Sequence, residues 1–206
     1  LVRRWPCKSR TQGEVMDRSR ILIVYFSRTG TTRAVARAIQ KELHCEIHGL
    51  VDPLFGFDRT PREGAGGYLR SVVDALFDPR FGFDRPAELL PLSCSLSDYD
   101  LVLVGGPIWN GSAATPLRTF LSQHRGELRH VAFFCTYAGT DSARALRTMA
   151  DLAGKDPLLT LALRRAEVEE HAIEAKVRTY SFALMNRVHH EERRLEAARA
   201  AEDAAA

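Results

Sequence analysis

The stretch Ser27-Arg28-Thr29-Gly30-Thr31-Thr32 gathers small donors between two patterned segments. The apolar run Ile21-Leu-Ile-Val-Tyr-Phe26 precedes it, and an alanine-rich helical pattern follows from Arg33. A strand, turn and helix in that order aims the unbonded N–H groups of the helix's first turn back at the turn. With their partial positive charge, those groups form a natural seat for a phosphate. Ser27, Thr29, Thr31 and Thr32 add hydroxyl donors around the same point. No lysine is present in the turn, and the spacing is not the Gly-x-x-x-x-Gly-Lys of nucleoside triphosphate loops. The chemistry indicated is a lone phosphomonoester held without a metal. Thr29 and Thr31 would equally suit an ordinary helix cap, so the turn alone leaves both readings open.

Two further segments have unusual composition. One is Gly105-Gly106-Pro107-Ile108-Trp109-Asn110-Gly111-Ser112, the other Thr136-Tyr137-Ala138-Gly139-Thr140-Asp141. Their glycines and Pro107 would let backbone approach a flat ligand closely, and Trp109 and Tyr137 offer aromatic faces for stacking. A phosphate cradle beside two such loops describes a site for a mononucleotide with a large planar base. No Ser-His-Asp or Cys-His constellation is visible, and Cys135 reads as core rather than nucleophile.

The elements that must position these segments stand out as short apolar runs: Ile21–Phe26, Cys45–Leu50, Leu101–Gly106, His130–Thr136 and Leu158–Leu163. Runs apolar on both faces belong to a parallel sheet covered by helices on each side. Between them, Val35, Ile39 and Leu43 predict one amphipathic helix, and Leu69, Val72, Val73 and Leu76 a second. Leu117, Phe120 and Leu121 after Pro116 predict a third. Ala143, Leu146, Met149 and Ala153, closed by Gly154 and Pro157, predict a fourth. A last helix is expected from about Glu167 to beyond Leu195, with Ile173, Val177, Tyr180, Leu184 and Val188 on one stripe. Alternating strands and helices with right-handed crossovers give a three-layer α/β/α sandwich around five parallel strands. In such a sheet, ligands bind outside the carboxyl ends of the strands, where the three unusual segments fall.

Composition narrows the function classes. The chain has 206 residues, 45% of them apolar, which suits one globular domain. Lys+Arg of 29 against Asp+Glu of 26 leaves a formal charge of +3, with no basic cluster of nucleic-acid type. No apolar run approaches the roughly 20 residues of a membrane span. The start, Leu1-Val-Arg-Arg-Trp-Pro-Cys7, carries no secretory apolar stretch. Residues 1–18 are expected to be an unstructured extension, with Met16 as the start of the native chain. Residues 19–190 form the folded domain and 191–206 a charged, alanine-rich helix end. Cys7, Cys45, Cys94 and Cys135 have no metal or redox spacing, so no metal is expected and a reduced, cytoplasmic setting fits. Asp52-Pro-Leu-Phe-Gly-Phe-Asp-Arg recurs as Asp78-Pro-Arg-Phe-Gly-Phe-Asp-Arg. Two copies do not make a solenoid. They read either as paired surface loops or as a lid in which Phe57 or Phe83 covers a bound ring.

The chain resembles the flavodoxin family. The resemblance rests on Tyr25-Phe26-Ser27-Arg28-Thr29-Gly30-Thr31-Thr32, on the segment from Tyr99-Asp100 through Pro107-Ile108-Trp109-Asn110-Gly111, and on Phe133-Phe134-Cys135-Thr136-Tyr137-Ala138-Gly139. It spans about Arg20 to Arg164. It implies the sheet order 2-1-3-4-5 and FMN as cofactor. The FMN phosphate would be held by Ser27, Thr29, Gly30, Thr31 and Thr32, with Arg28 inside the same turn. Pro107, Ile108, Trp109, Asn110 and Gly111 would line the isoalloxazine, and Thr136, Tyr137, Ala138 and Gly139 would approach its other edge.

Carriers of that family are typically acidic, whereas this chain is slightly positive, and Arg28, Arg33 and Arg37 cluster at the phosphate turn. Those arginines suit the phosphates of a reduced nicotinamide. The leading expectation is an oxidoreductase passing electrons from NAD(P)H to a quinone or other small acceptor. The alternatives are a non-enzymatic one-electron carrier serving a redox partner, or a related domain with a weakened FMN site. The last helix, expected to outrun the sheet at Val188 and Leu195, suits a homodimer or else a solvated extension.

Overall fold

The computed structural model describes residues 20–52, 86–139, 142–170 and 172–205. The N-terminal extension, the helix expected from Leu69, and both Phe-Gly-Phe repeats with Phe57 and Phe83 lie outside the described residues.

Continuous apolar runs become buried parallel strands. Strand β1 (Ile21–Tyr25) is buried along its whole length. It is flanked by β2 (Glu46–Gly49) on one side and β3 (Leu101–Trp109) on the other, both parallel to it. Beyond β3 come β5 (His130–Tyr137) and β6 (Thr160–Arg164), again parallel. The path is β2-β1-β3-β5-β6, and a short sixth strand, β4 (Ser112–Ala113), pairs antiparallel with β3. The five parallel strands therefore follow the expected order, with one addition.

That addition corrects the reading of Gly105–Ser112 as a loop. Strand β3 continues through Pro107 to Trp109, and Asn110 and Gly111 turn it back onto β4. Both turn residues have positive φ, 48° and 73°. That is the two-residue hairpin geometry for which Asn-Gly is the preferred pair, because its twist matches the flanking strands.

Helices cover both faces. On one, α1 (Thr31–Leu43) buries Val35, Ala36, Ile39 and Leu43, and ends where His44 turns left-handed. Packed beside it, α5 (Glu174–Ala205) buries Val177, Tyr180, Leu184 and Val188, with Ile173 just before it, against Ile21, Ile23, Leu101, Leu103 and Phe134. On the opposite face, α2 (Thr115–Gln123) and α3 (Ser142–Ala153) enclose Leu22, Val24, Val102, Val104, Val131 and Phe133. The result is a three-layer α/β/α sandwich.

Three local expectations change. In α3 the core face is Ala145, Met149 and Ala153, while Ala143 is exposed. Gly154 closes that helix with φ 66°, its N–H bonded to Asp151 O and that of Lys155 to Ala150 O. This is the paired bonding of a left-handed helix stop. The single last helix expected from Glu167 is instead two helices, a short α4 (Arg165–Glu169) and then α5. The Glu167 carboxylate accepts from the Arg164 N–H (2.7 Å) and from Lys176 Nζ, fixing the corner between them. Val188, expected beyond the sheet, is 1% exposed within the core, and Leu195 is half-buried.

Candidate functional site

Because β1, β3 and β5 are adjacent and parallel, their carboxyl ends lie side by side. The turn after β1, the end of β3 and the segment Thr136–Gly139 therefore share one edge. The sheet order also reverses there: the chain leaves β1 for β2 on one side and returns as β3 on the other. Reversal opens a crevice at the strand ends.

The turn after β1 is built around Ser27, which is 7% exposed. Its Oγ accepts from the N–H groups of Gly30 and Arg33, each at 3.2 Å. Ser27 thus does the capping expected of Thr29 or Thr31. The residue at the cap position is Gly30, which has φ 91° and no side chain to cap with. With both acceptor positions of Ser27 Oγ filled, its hydroxyl proton is the part it can offer to a ligand. Thr29 Oγ1 and Thr31 Oγ1 lie 3.3 Å apart and share one hydrogen bond, leaving a second proton to donate. No acidic residue occupies the first turn of α1. Arg28, within the turn, and Arg33, just after it, are both half-buried. Backbone N–H groups, hydroxyl protons and a helix N-terminus with no carboxylate in its own first turn form a donor set that fits a phosphate.

Thr32 is placed differently from its neighbours. It is 2% exposed, and its Oγ1 lies 2.7 Å from Thr136 Oγ1 at the end of β5. The two hydroxyls tie the head of α1 to the neighbouring segment of the site.

At the end of β3, Gly105 and Gly106 are filled by the protein's own side chains. A Cβ on Gly105 would stand 2.1 Å from the Phe134 ring, and one on Gly106 2.1 Å from Leu117. These glycines admit core packing on opposite faces of the sheet rather than a ligand, which corrects their expected role. The residues available to a ligand come after them. Pro107 and Trp109 are half-buried, Ile108 is buried, and Asn110 is exposed at the hairpin tip beside half-buried Gly111. Trp109 is held by a perpendicular contact with Phe26, ring centroids 5.9 Å apart. Phe26 was not singled out as a site residue, and its place directly before Ser27 was the available clue.

Across β5, Thr136 is buried, Tyr137 half-buried, and Ala138 and Gly139 exposed. Among the described residues, a side chain at Gly139 would meet nothing within 4 Å. Thr140 and Asp141 lie outside the described residues. Cys135 is fully buried, and burial pushes its thiol up to about 12, so it stays protonated and unreactive. Cys45, likewise buried, is also pushed up to about 12. Among the described residues no group of His, Cys, Asp and Glu could hold a metal, and no helix is long and apolar enough to cross a membrane.

A family model described as flavodoxin matches residues 20–162. No curated protein matches the chain. Among solved structures, a flavoprotein from Lactobacillus acidophilus crystallised in complex with FMN is 27% identical. It aligns over 75% of this chain and 99% of its own, with TM-score 0.51. The apo form of the flavoprotein from Lactobacillus acidophilus, solved by NMR, is 25% identical over 74% and 96%, with TM-score 0.50. A Bacteroides eggerthii protein described as a flavoprotein shares the fold at 22% identity over 79% and 98%, with TM-score 0.53. The match runs from the residue before β1 into β6 and takes in all three segments at the sheet edge, and by it this chain belongs to the flavodoxin family.

Proposed function

We propose that this protein binds FMN at the shared edge of β1, β3 and β5 and uses it to move electrons from NAD(P)H to a quinone or other small acceptor. The observation that carries the reading is the turn around Ser27. Its donors fit a dianionic phosphate, and it opens at the switch point of a flavodoxin-family sheet. The FMN complex of the Lactobacillus acidophilus relative supports the choice of cofactor.

In this reading Ser27, Arg28, Thr29, Gly30, Thr31 and Thr32 hold the phosphate. Pro107, Ile108, Trp109, Asn110 and Gly111 line the ring on the β3 side. Tyr137, Ala138 and Gly139 approach it from β5, and Thr136 stands behind the phosphate turn, its hydroxyl paired with that of Thr32. Bound FMN would supply the redox chemistry. The protein's work is orientation and exclusion. The Asn110-Gly111 hairpin presents backbone groups at a fixed height, the Phe26–Trp109 contact keeps the indole in one place, and the half-buried rings shield the site from water. The formal charge of +3 and the arginines at positions 28, 33 and 37 favour an anionic nicotinamide donor over docking on a basic redox protein.

The test begins with the purified protein mixed with excess FMN and desalted. Retained flavin absorbance, followed by bleaching when NADPH or NADH is added without oxygen, is the expected result. Flavin retained but indifferent to both nicotinamides would favour a one-electron carrier. A colourless protein after reconstitution would refute the FMN reading itself.

A further inference from the structure

The hydroxyls of Thr32 and Thr136 form a buried pair, 2% and 4% exposed, across a long stretch of chain. Among the described residues neither makes another hydrogen bond. At 2.7 Å one proton lies between the oxygens, and the other must point elsewhere. Two arrangements are possible. If Thr32 donates to Thr136, the head of α1 has spent its hydroxyl internally. If Thr136 donates to Thr32, the Thr32 proton is available at the second position of the helix. A negative charge at the helix N-terminus selects the second arrangement, because it attracts the Thr32 proton outward. The donation from Thr136 then polarises the Thr32 hydroxyl and strengthens its outward bond.

We infer that Thr136 is a positioning residue for the anion seat: its hydroxyl donates to Thr32 Oγ1 and directs the Thr32 proton to a phosphate held in the turn after β1. This rests on the phosphate half of the proposed FMN site. It assigns Thr136, expected at the ring edge, to the phosphate instead. The neighbouring Tyr137–Gly139 segment stays with the ring, so β5 serves both ends of the ligand.

FMN and riboflavin differ by the phosphate alone, and their affinities for the full chain separate the two roles. Thr136→Val is close in shape and removes the donor. Expected is a roughly 3- to 10-fold loss of FMN affinity, the net worth of one hydrogen bond, with riboflavin affinity unchanged. Thr136→Ser, which keeps the hydroxyl, should restore FMN binding. Thr32→Val combined with Thr136→Val should bind FMN no more weakly than Thr32→Val alone, since the effect passes through Thr32. Equal losses for FMN and riboflavin, no loss for either, or losses that multiply in the double variant would each overturn the inference. A second readout uses no flavin: inorganic phosphate should raise the melting temperature of the wild-type apoprotein and of Thr136→Ser more than that of Thr136→Val. That result in a protein that retains no flavin would uphold the inference and refute the FMN reading. Equal phosphate shifts in the wild type and Thr136→Val would overturn the inference.

Discussion

Single residues at the end of β3 show how closely the site is coupled to the core beneath it. Gly105 lies under the Phe134 ring and Gly106 under Leu117, on opposite faces of the sheet. A methyl group at Gly105 meets a flat ring that cannot bend away, whereas one at Gly106 meets the end of a leucine that can change rotamer. Gly105→Ala is therefore expected to destabilise the fold by about 1–3 kcal/mol, the usual cost of overpacking, and Gly106→Ala by less. Urea denaturation of both variants measures the difference, and equal losses would refute the argument. Phe134→Leu in the Gly105→Ala background should recover part of the loss. In the sequence alone this Gly-Gly pair suggests room for a ligand. Glycine signals space, but only the packed neighbours show what fills it.

Elements are held in register from the opposite edge of the sheet. Asp100, just before β3, is 6% exposed and receives two arginines. Arg20, just before β1, bonds both carboxylate oxygens, at 2.8 Å each. Arg129, just before β5, donates to Oδ1 at 2.6 Å. One carboxylate thus ties the starting ends of the three strands whose far ends carry the candidate site. Both arginines are partly exposed, which tempers the cost of losing their partner. Asp100→Asn is expected to cost about 1–3 kcal/mol in chemical denaturation while leaving flavin affinity within about twofold. A large loss of affinity in the folded variant would show that strand register at this edge reaches the site.

At the scale of the whole molecule, stability should depend on pH through two half-buried histidines. Burial lowers the pKa of His48, on β2, below its ordinary 6.5. Burial first, then the charges of Arg129 and Lys155, lowers that of His130 at the start of β5, against the opposing charges of Glu191 and Asp100. The folded state therefore binds fewer protons than the unfolded chain once the pH falls below about 6.5. The stability present above that pH is lost progressively as the pH falls through the lowered values. Glu167, held down by Lys176 and the Arg164 N–H, acts in the same direction below its ordinary 4.5. Glu192, raised mainly by burial and then by the charge of Asp100, acts in the opposite direction. Urea midpoints measured from pH 7.5 to 5.5 should fall, and the slope should flatten when both His48 and His130 are replaced by glutamine. A midpoint independent of pH in the wild type would contradict this account.

What was legible in the sequence was whatever depends on local pattern. Ile21–Tyr25, Leu101–Val104 and Val131–Cys135 declare buried parallel strands, because a strand covered on both faces must be apolar at every position. Ser27–Thr32 declares a donor-rich turn before a helix, because hydroxyls and a glycine ahead of a helix supply hydrogen-bond donors wherever the helix goes. The Asn110-Gly111 hairpin is also legible from its turn chemistry, since Asn-Gly is the preferred pair for a two-residue hairpin. The folded structure alone decided which partners meet: within one turn, that Ser27 caps α1 in place of Thr29 or Thr31, and across the chain, that Phe134 and Leu117 fill the glycines of β3, that Asp100 gathers Arg20 and Arg129, and that Thr32 meets Thr136. Periodicity tells each residue which face it is on. Which partner stands opposite is set only when strands from distant parts of the chain are brought into register.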